Sequence, residues 1–387
     1  MIKAKGDLEK VGDGSLRVTV KLTPGGVTQT FDSDGGDTGR GNGGTYDAFV
    51  VNAYRMKTSV EQTLKVMDQT RDRDLSTIPA KRELLADMME VHKHAEDAIL
   101  HTDGTGVYAT ANGATTAAAV IMASPFYQRL LHPGMVVDQW DSALTTNRST
   151  AGGSRTISSI DPSTYTVNFA AAFASGVAGD KFLLKGLSSA VFRKGLPYLI
   201  ATSGTYWTLA RASYPQLKAA YVDGGSNVVS PMLLQRLKDG IIVRRGENVF
   251  AKKKGWMFYT GLEQRASIQS WLQRTVSMDR RPSELTGAEL AYNTDEVYFD
   301  GIPIVATLSG NSARIDLFNI NSIHKAETVP TKMLTIAGDD VFPIYGASGG
   351  PAAAELRGIY DERDYFMDDP GMTAYADSLG LPTGYPV

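Results

Sequence analysis

One stretch divides the chain: Ile78 to Tyr108, IPAKRELLADMMEVHKHAEDAILHTDGTGVY. Pro79 suits the first turn of a helix, where its missing N–H is not needed, and Ser76 or Thr77 can cap in front of it. Leu84, Met88, Val91, Ala95 and Ala98 recur at three- and four-residue steps, with Leu85 and Ile99 widening the stripe. Charged residues fill most of the other positions. The spacing predicts a long amphipathic helix from Pro79 to His101, closed by a glycine turn at Asp103-Gly104-Thr105-Gly106. Its apolar stripe is expected to pack on strands of its own domain, leaving its charged side outward.

Ahead of this spine the pattern is extended. Residues 1–14 are polar and read as an arm. Leu16, Val18, Val20 and Leu22 alternate with Arg17, Thr19 and Lys21, which predicts a strand with one apolar face. Pro24-Gly25-Gly26 ends it. Phe31 and a glycine cluster from Gly35 to Gly44 follow, then a second strand from Ala48 to Met56 and a polar, helix-inclined stretch from Val60 to Thr70. The hairpin face formed by Leu16, Val18, Val20, Leu22, Phe49 and Val51, with Phe31 at the tip, has no obvious partner nearby in sequence. It is expected to bury itself against a neighbouring subunit.

Behind the spine the chain reads as mostly β. Ala114 to Ala123 is helix-prone, and Ser124-Pro125 opens a short helical segment to Leu131. Strands are expected at Met135–Trp140, through Arg155–Leu184, at Ile241–Arg245, Val249–Ala251 and Trp256–Thr260, and at Ile315–Ile320 and Val341–Tyr345. Glu296–Phe299 and Ile302–Thr307 should pair as a hairpin. Helices are expected at Pro231–Arg236, stopping at Asp239-Gly240, at Leu262–Val276, and at Ala352–Leu356. The 39 glycines among 387 residues imply many turns. The fold class is α+β.

The chemistry is mostly a record of exclusions. A net charge of −3 and a pI near 6.0 argue against a chain whose main work is gripping phosphates. With no cysteine, disulfides, thiolate catalysis and cysteine-held metals are excluded. No apolar run approaches the roughly 18 residues that would span a membrane, so no membrane partner is expected. Gly346-Ala347-Ser348-Gly349-Gly350 matches a nucleophile elbow, but the hydrolase order needs a histidine after the serine and the last is His324. Asp37-Thr38-Gly39 has aspartic-protease letters inside a glycine-rich tip that cannot hold a buried dyad. Gly39, Gly41 and Gly44 lack the strand and helix of a dinucleotide site. His92, His94 and His101 do not share one helix face and read as solvated or interfacial rather than as metal ligands. Arg244, Arg245, Lys252, Lys253 and Lys254 form the only dense basic patch, a candidate polyanion contact. No catalytic, cofactor-binding or metal residue is expected, which favours a structural or binding protein.

Several segments, in order, resemble the major capsid proteins of tailed bacteriophages. They are LEKVGDGSLRVTVKL, HTDGTGVYAT, HPGMVVDQW, SSIDPSTYTVNFAAAFASGVAGDKFLLKGLSSA, YWTLARASYPQLKAAYVDGG, LKDGIIVRRG, VYFDGIPIVA and RIDLFNIN. The resemblance implies the HK97-type shell fold. It divides the chain into an N-terminal arm (1–14), an extended E-loop (15–68), the P-domain spine region (69–134), an axial A-domain (135–294), P-domain strands returning beside the spine (295–345) and a C-terminal segment (346–387). The arm is shorter than the family's usual one. The resemblance further implies homo-pentamers and homo-hexamers closing into a phage head around double-stranded DNA. Scaffold and portal proteins, and a decoration protein, would be its partners; the chain would assemble in the host cytoplasm and end in the virion. A nanocompartment shell of the encapsulin kind is the alternative on the same fold, and a hydrolase built on Ser348 the alternative of another class.

Overall fold

The computed structural model describes residues 9–11, 15–23, 26, 43–63, 80–113, 117–123, 129–149, 153–186, 192–251, 255–279, 297–307, 309–335, 342–345 and 351–382. Phe31, Asp37, Pro79, Lys252, Lys253, Lys254 and Ser348 lie outside them, as does the side chain of Leu22.

The front hairpin forms as the alternation requires. β1 (Ser15–Thr23) and β2 (Thr45–Asn52) run antiparallel, with Leu16 opposite Val51 and Val18 opposite Phe49. A short strand, Glu9–Val11, adds to the far edge of β1. The expected need for a neighbour is not met. Val20, Phe49 and Val51 are fully buried within the chain itself, and Leu16 and Val18 nearly so. They pack against Leu199, Tyr206, Leu217 and Phe366, with Phe49 edge-on to Tyr206 at 5.2 Å. These partners lie about 150 to 350 residues further along the chain, so a local reading of the hairpin could not see them.

The spine forms as α1 (Ala80–Leu100). Met88, Ala98 and Ile99 are buried as expected, but Val91 is 54% exposed and His92 takes the inward position. Beside α1 runs a sheet centred on a 17-residue strand. β3 (Tyr54–Thr63) pairs antiparallel along one edge of β6 (Pro351–Met367). β4 (Ile323–Met333) and β5 (Phe342–Tyr345) pair along the other. Two helix expectations fail here. Val60–Thr63 and Ala352–Leu356 are strand, because ladder bonds to neighbouring strands outweigh the intrinsic helix preference of alanine and glutamate.

Two further sheets build the body. The first has the order Ala109–Thr110, Lys181–Leu184, Val136–Trp140, Arg155–Asp161, Thr166–Phe169, Ala119–Ile121. It encloses Phe169, Phe173 and Phe182 with Tyr108 and Ile99. Within the helix expected over Ala114–Ala123, Ala119–Ile121 is therefore a strand. The second has the order Ala220–Asp223, Ala374–Asp377, Ile315–Asn319, Trp256–Gly261, Ile302–Thr307, Val297–Phe299, with mixed directions.

Two helices, α2 (Pro231–Arg245) and α3 (Leu262–Asp279), cover this second sheet. Ser230 caps α2 by accepting the Leu233 N–H, and the helix continues through Gly240. Gly240 lies where a Cβ would come within 3.1 Å of Ala220, so it serves close packing rather than a break. The strand expected at Ile241–Arg245 is the last turn of α2, and Val249–Ala251 is a 3₁₀ turn.

Sheet membership cuts across two of the expected segments. Residues 135–294 divide between two sheets. The strands beside the spine are β3 and β6, while Val297–Asn319 belongs to the second body sheet.

Candidate functional site: the ionic joint between spine and long sheet

Around residue 361 the strand β6 reads YDERDYF, four charged residues flanked by aromatics, and the strand sends successive side chains to opposite faces. Asp361, Arg363 and Tyr365 meet α1. His92 Nε2 lies 3.4 Å from Asp361 Oδ2, and its Nδ1 is 2.9 Å from Thr58 Oγ1 on β3. Arg363 pairs with Asp361 at 2.8 Å and also with Glu96, which accepts a further bond from the Tyr365 hydroxyl. This is why His92 rather than Val91 faces inward: a carboxylate and a hydroxyl wait for it there.

A four-residue segment, Phe192 to Gly195, locks the joint. Arg193 is 2% exposed; it pairs with Asp361 and donates to the Tyr54 carbonyl at 3.1 and 3.2 Å. The Lys194 N–H donates to Asp364 at 2.9 Å, while its ammonium reaches the Gly104 carbonyl at 3.1 Å. At Gly195 a Cβ would fall 2.2 Å from the Thr102 carbonyl and under 3 Å from those of Ile99 and Leu100, so no larger residue could thread past the end of α1. The segment thus ties α1, β3 and β6 together.

The electrostatics of the two aspartates diverge. Burial pushes Asp361 up, but hydrogen bonds from His92 and Arg193 and the charges of Arg193 and Arg363 outweigh it and hold the carboxyl at about 2. For Asp364 burial dominates, and two backbone N–H donors with the nearby cations offset it only in part, leaving it at about 7. A carboxyl near 7 resembles a general acid. Asp364 is fully buried, however, and does not line the cavity of about 150 Å³ between Tyr54–Lys57, Leu184–Lys185 and Phe192–Arg193. The arrangement can hold three elements in register.

His101 makes a second tie. It donates from Nδ1 to the Asp97 carbonyl at 2.6 Å, so Nε2 accepts from the Tyr259 hydroxyl. Tyr259 in turn bonds Thr307, and Ser309 bonds Asp97, joining the end of α1 to the second body sheet. Burial lowers the His101 pKa. His94 alone of the three spine histidines is exposed, paired with Glu90 at 3.6 Å. The expectation of solvated or interfacial rings fails for His92 and His101, which have buried partners distant in sequence. Among the described residues no group of three histidine or acidic side chains could hold a metal ion.

The basic patch is partly dispersed. Arg245 pairs with the buried Asp369, while Arg244 donates to the Lys218 carbonyl at 2.7 Å. Lys218, unsuspected from sequence, stands with both arginines around a cleft of about 400 Å³.

No family model matches the chain, and no curated protein matches it. Solved structures do. A cyanophage A-1(L) capsid asymmetric unit superposes with a TM-score of 0.51 at 10% identity, over 94% of this chain and 88% of that one. The capsid of a native GTA particle computed with C5 symmetry gives 0.50 at 11%, over 95% and 86%. The fold is that of an HK97-type capsid subunit. The holo-SrpI encapsulin complex from Synechococcus elongatus is also similar, at a TM-score of 0.41 and 10% identity, over 89% and 80%. Within the HK97-type fold, the ionic joint lies where the spine helix meets the long strands.

Proposed function

We propose that this chain is a phage major capsid protein, the repeating subunit of a head that encloses double-stranded DNA. The likeness to a cyanophage capsid subunit over 94% of the chain carries the reading. The subunits assemble into homo-pentamers and homo-hexamers through unlike surfaces that close into rings and then into a shell. The protein's work is mechanical: it has no reaction to perform, and the joint around Asp361 keeps the spine and long sheet rigid while surface loops meet neighbours. Scaffold, portal and decoration proteins are its partners, assembly takes place in the host cytoplasm, and the mature location is the virion.

In this reading the spine region with β3, β4 and β6 forms the peripheral domain. The sheet from Ala220 to Asp377, with α2 and α3, forms the axial one. Residues 346–387 contribute to both. Electron microscopy of the purified protein tests the proposal. Rings, tubes or icosahedral particles are expected; a strict monomer at high concentration under every ionic condition, with or without scaffold, sinks it. Particles filled with a protein cargo instead of DNA would assign the same shell to a nanocompartment.

A further inference from the structure

The cleft beside the end of α2 is lined by Pro215, Gln216, Lys218, Arg244, Arg245 and Gly371. Of its three cations only Arg245 has a carboxylate, Asp369. Among the described residues no carboxylate lies within ion-pair distance of Lys218 or Arg244, so two positive charges face an open hollow. Val243, next to Arg244, is 80% exposed. Arg236 lies exposed two turns earlier on the helix, where Asp239 is the nearest acid, and Glu247 follows the helix end.

The outer face of α1 is the complement. Glu83, Asp87 and Glu90 are exposed at i, i+4 and i+7, a ridge about 10 Å long. Met89 and Val91 are exposed alongside it, with Lys93 on the flank. An exposed acidic ridge with apolar neighbours fits a hollow holding two cations that no described carboxylate pairs, on a helix that also exposes Val243. A DNA duplex is a poorer fit, because its phosphates meet the tips of a convex surface and not a recess.

We infer that the acidic ridge of α1 docks into the Lys218–Arg244 cleft of a second copy of this chain. The inference rests on the shell reading and names one of its contacts. The two patches differ from each other, so the contact is heterologous, the type from which rings are built. Charge pairs at the rim would steer encounter and fix register, and the apolar neighbours would supply burial.

Charge reversal tests it in the full chain, read as the assembled fraction by sedimentation and electron microscopy. Asp87→Lys with Glu90→Lys, and separately Lys218→Glu with Arg244→Glu, should each cut assembly by about tenfold or more. All four together should restore it. If a reversed pair does not fold, the milder Lys218→Gln with Arg244→Gln should still reduce assembly, and raised salt should weaken the wild type in parallel. Wild-type assembly by either pair, or a quadruple variant that folds but assembles no better than the pairs, overturns the contact. If Lys218→Glu with Arg244→Glu assembles normally yet loses affinity for a short DNA duplex, the cleft belongs to phosphate and the contact is again overturned. A wild type that never assembles overturns the shell reading instead.

Discussion

Replacing Asp361 by asparagine should destabilise the subunit by a predictable amount, with a predictable dependence on pH. The carboxyl is held at about 2, against 3.8 for an ordinary aspartate. By linkage, that depression contributes about 2 kcal/mol of stability at neutral pH. Its folded pKa lies below its unfolded one, so the contribution is complete above the unfolded value and disappears as pH falls through 3.8 towards 2. Asparagine removes it everywhere. It also leaves Arg193, 2% exposed, with the backbone carbonyls of Tyr54 and residue 361 in place of a carboxylate, whereas Arg363 keeps Glu96. Breaking a buried pair from one side costs about 3–5 kcal/mol. The two routes bracket an expected loss of about 2–5 kcal/mol, with the upper end favoured because the linkage figure omits the stranded guanidinium. Urea denaturation of the unassembled chain measures it. The midpoint should drop on the order of 1 M at neutral pH, and the gap to wild type should narrow as the medium is acidified below about pH 4. A variant within about 0.5 kcal/mol of wild type, or a gap that does not change with acid, would refute the argument that Asp361 holds the joint as an anion.

Asp364, three positions along the same strand, should behave in the opposite sense. Its folded pKa is raised to about 7, so wild-type stability should fall as pH rises from near 4 through 7, and Asp364→Asn should flatten that decline in the same urea titration; parallel slopes would remove Asp364 as its source. Phe49→Ala should cost about 3–5 kcal/mol in the unassembled chain, because the ring is fully buried against Tyr206 and Phe366 of its own subunit. An unchanged denaturation midpoint with impaired assembly would instead return the hairpin face to a neighbour.

What the sequence could reveal was set by the reach of each interaction. The helix from Ala80, its glycine turn, the alternation of β1 and the hairpin at Val297–Thr307 depend on neighbours within a few residues, so period and turn chemistry disclosed them. The candidate site depends on residues far apart: Glu96 meets Arg363 across 267 positions. Nothing within a helical window distinguishes His92, which goes inward, from Val91, which does not, because Asp361 decides it. In the same way Gly240 looks like a stop until Ala220 lies beneath it, and Ala352–Leu356 looks helical until strands pair along it. The charged run Asp361-Glu362-Arg363-Asp364 reads locally as a solvated face, yet all four residues are buried. One local signal did point to the joint. A block of four charges followed by Tyr365-Phe366-Met367 within an apolar, strand-forming context is costly unless partners of opposite sign converge on it. Burying such a block only makes sense where rigidity and register matter more than net stability. In the proposed shell reading, a subunit that must present the same edges to every neighbour has that requirement, and the joint beside the spine is where it would be met.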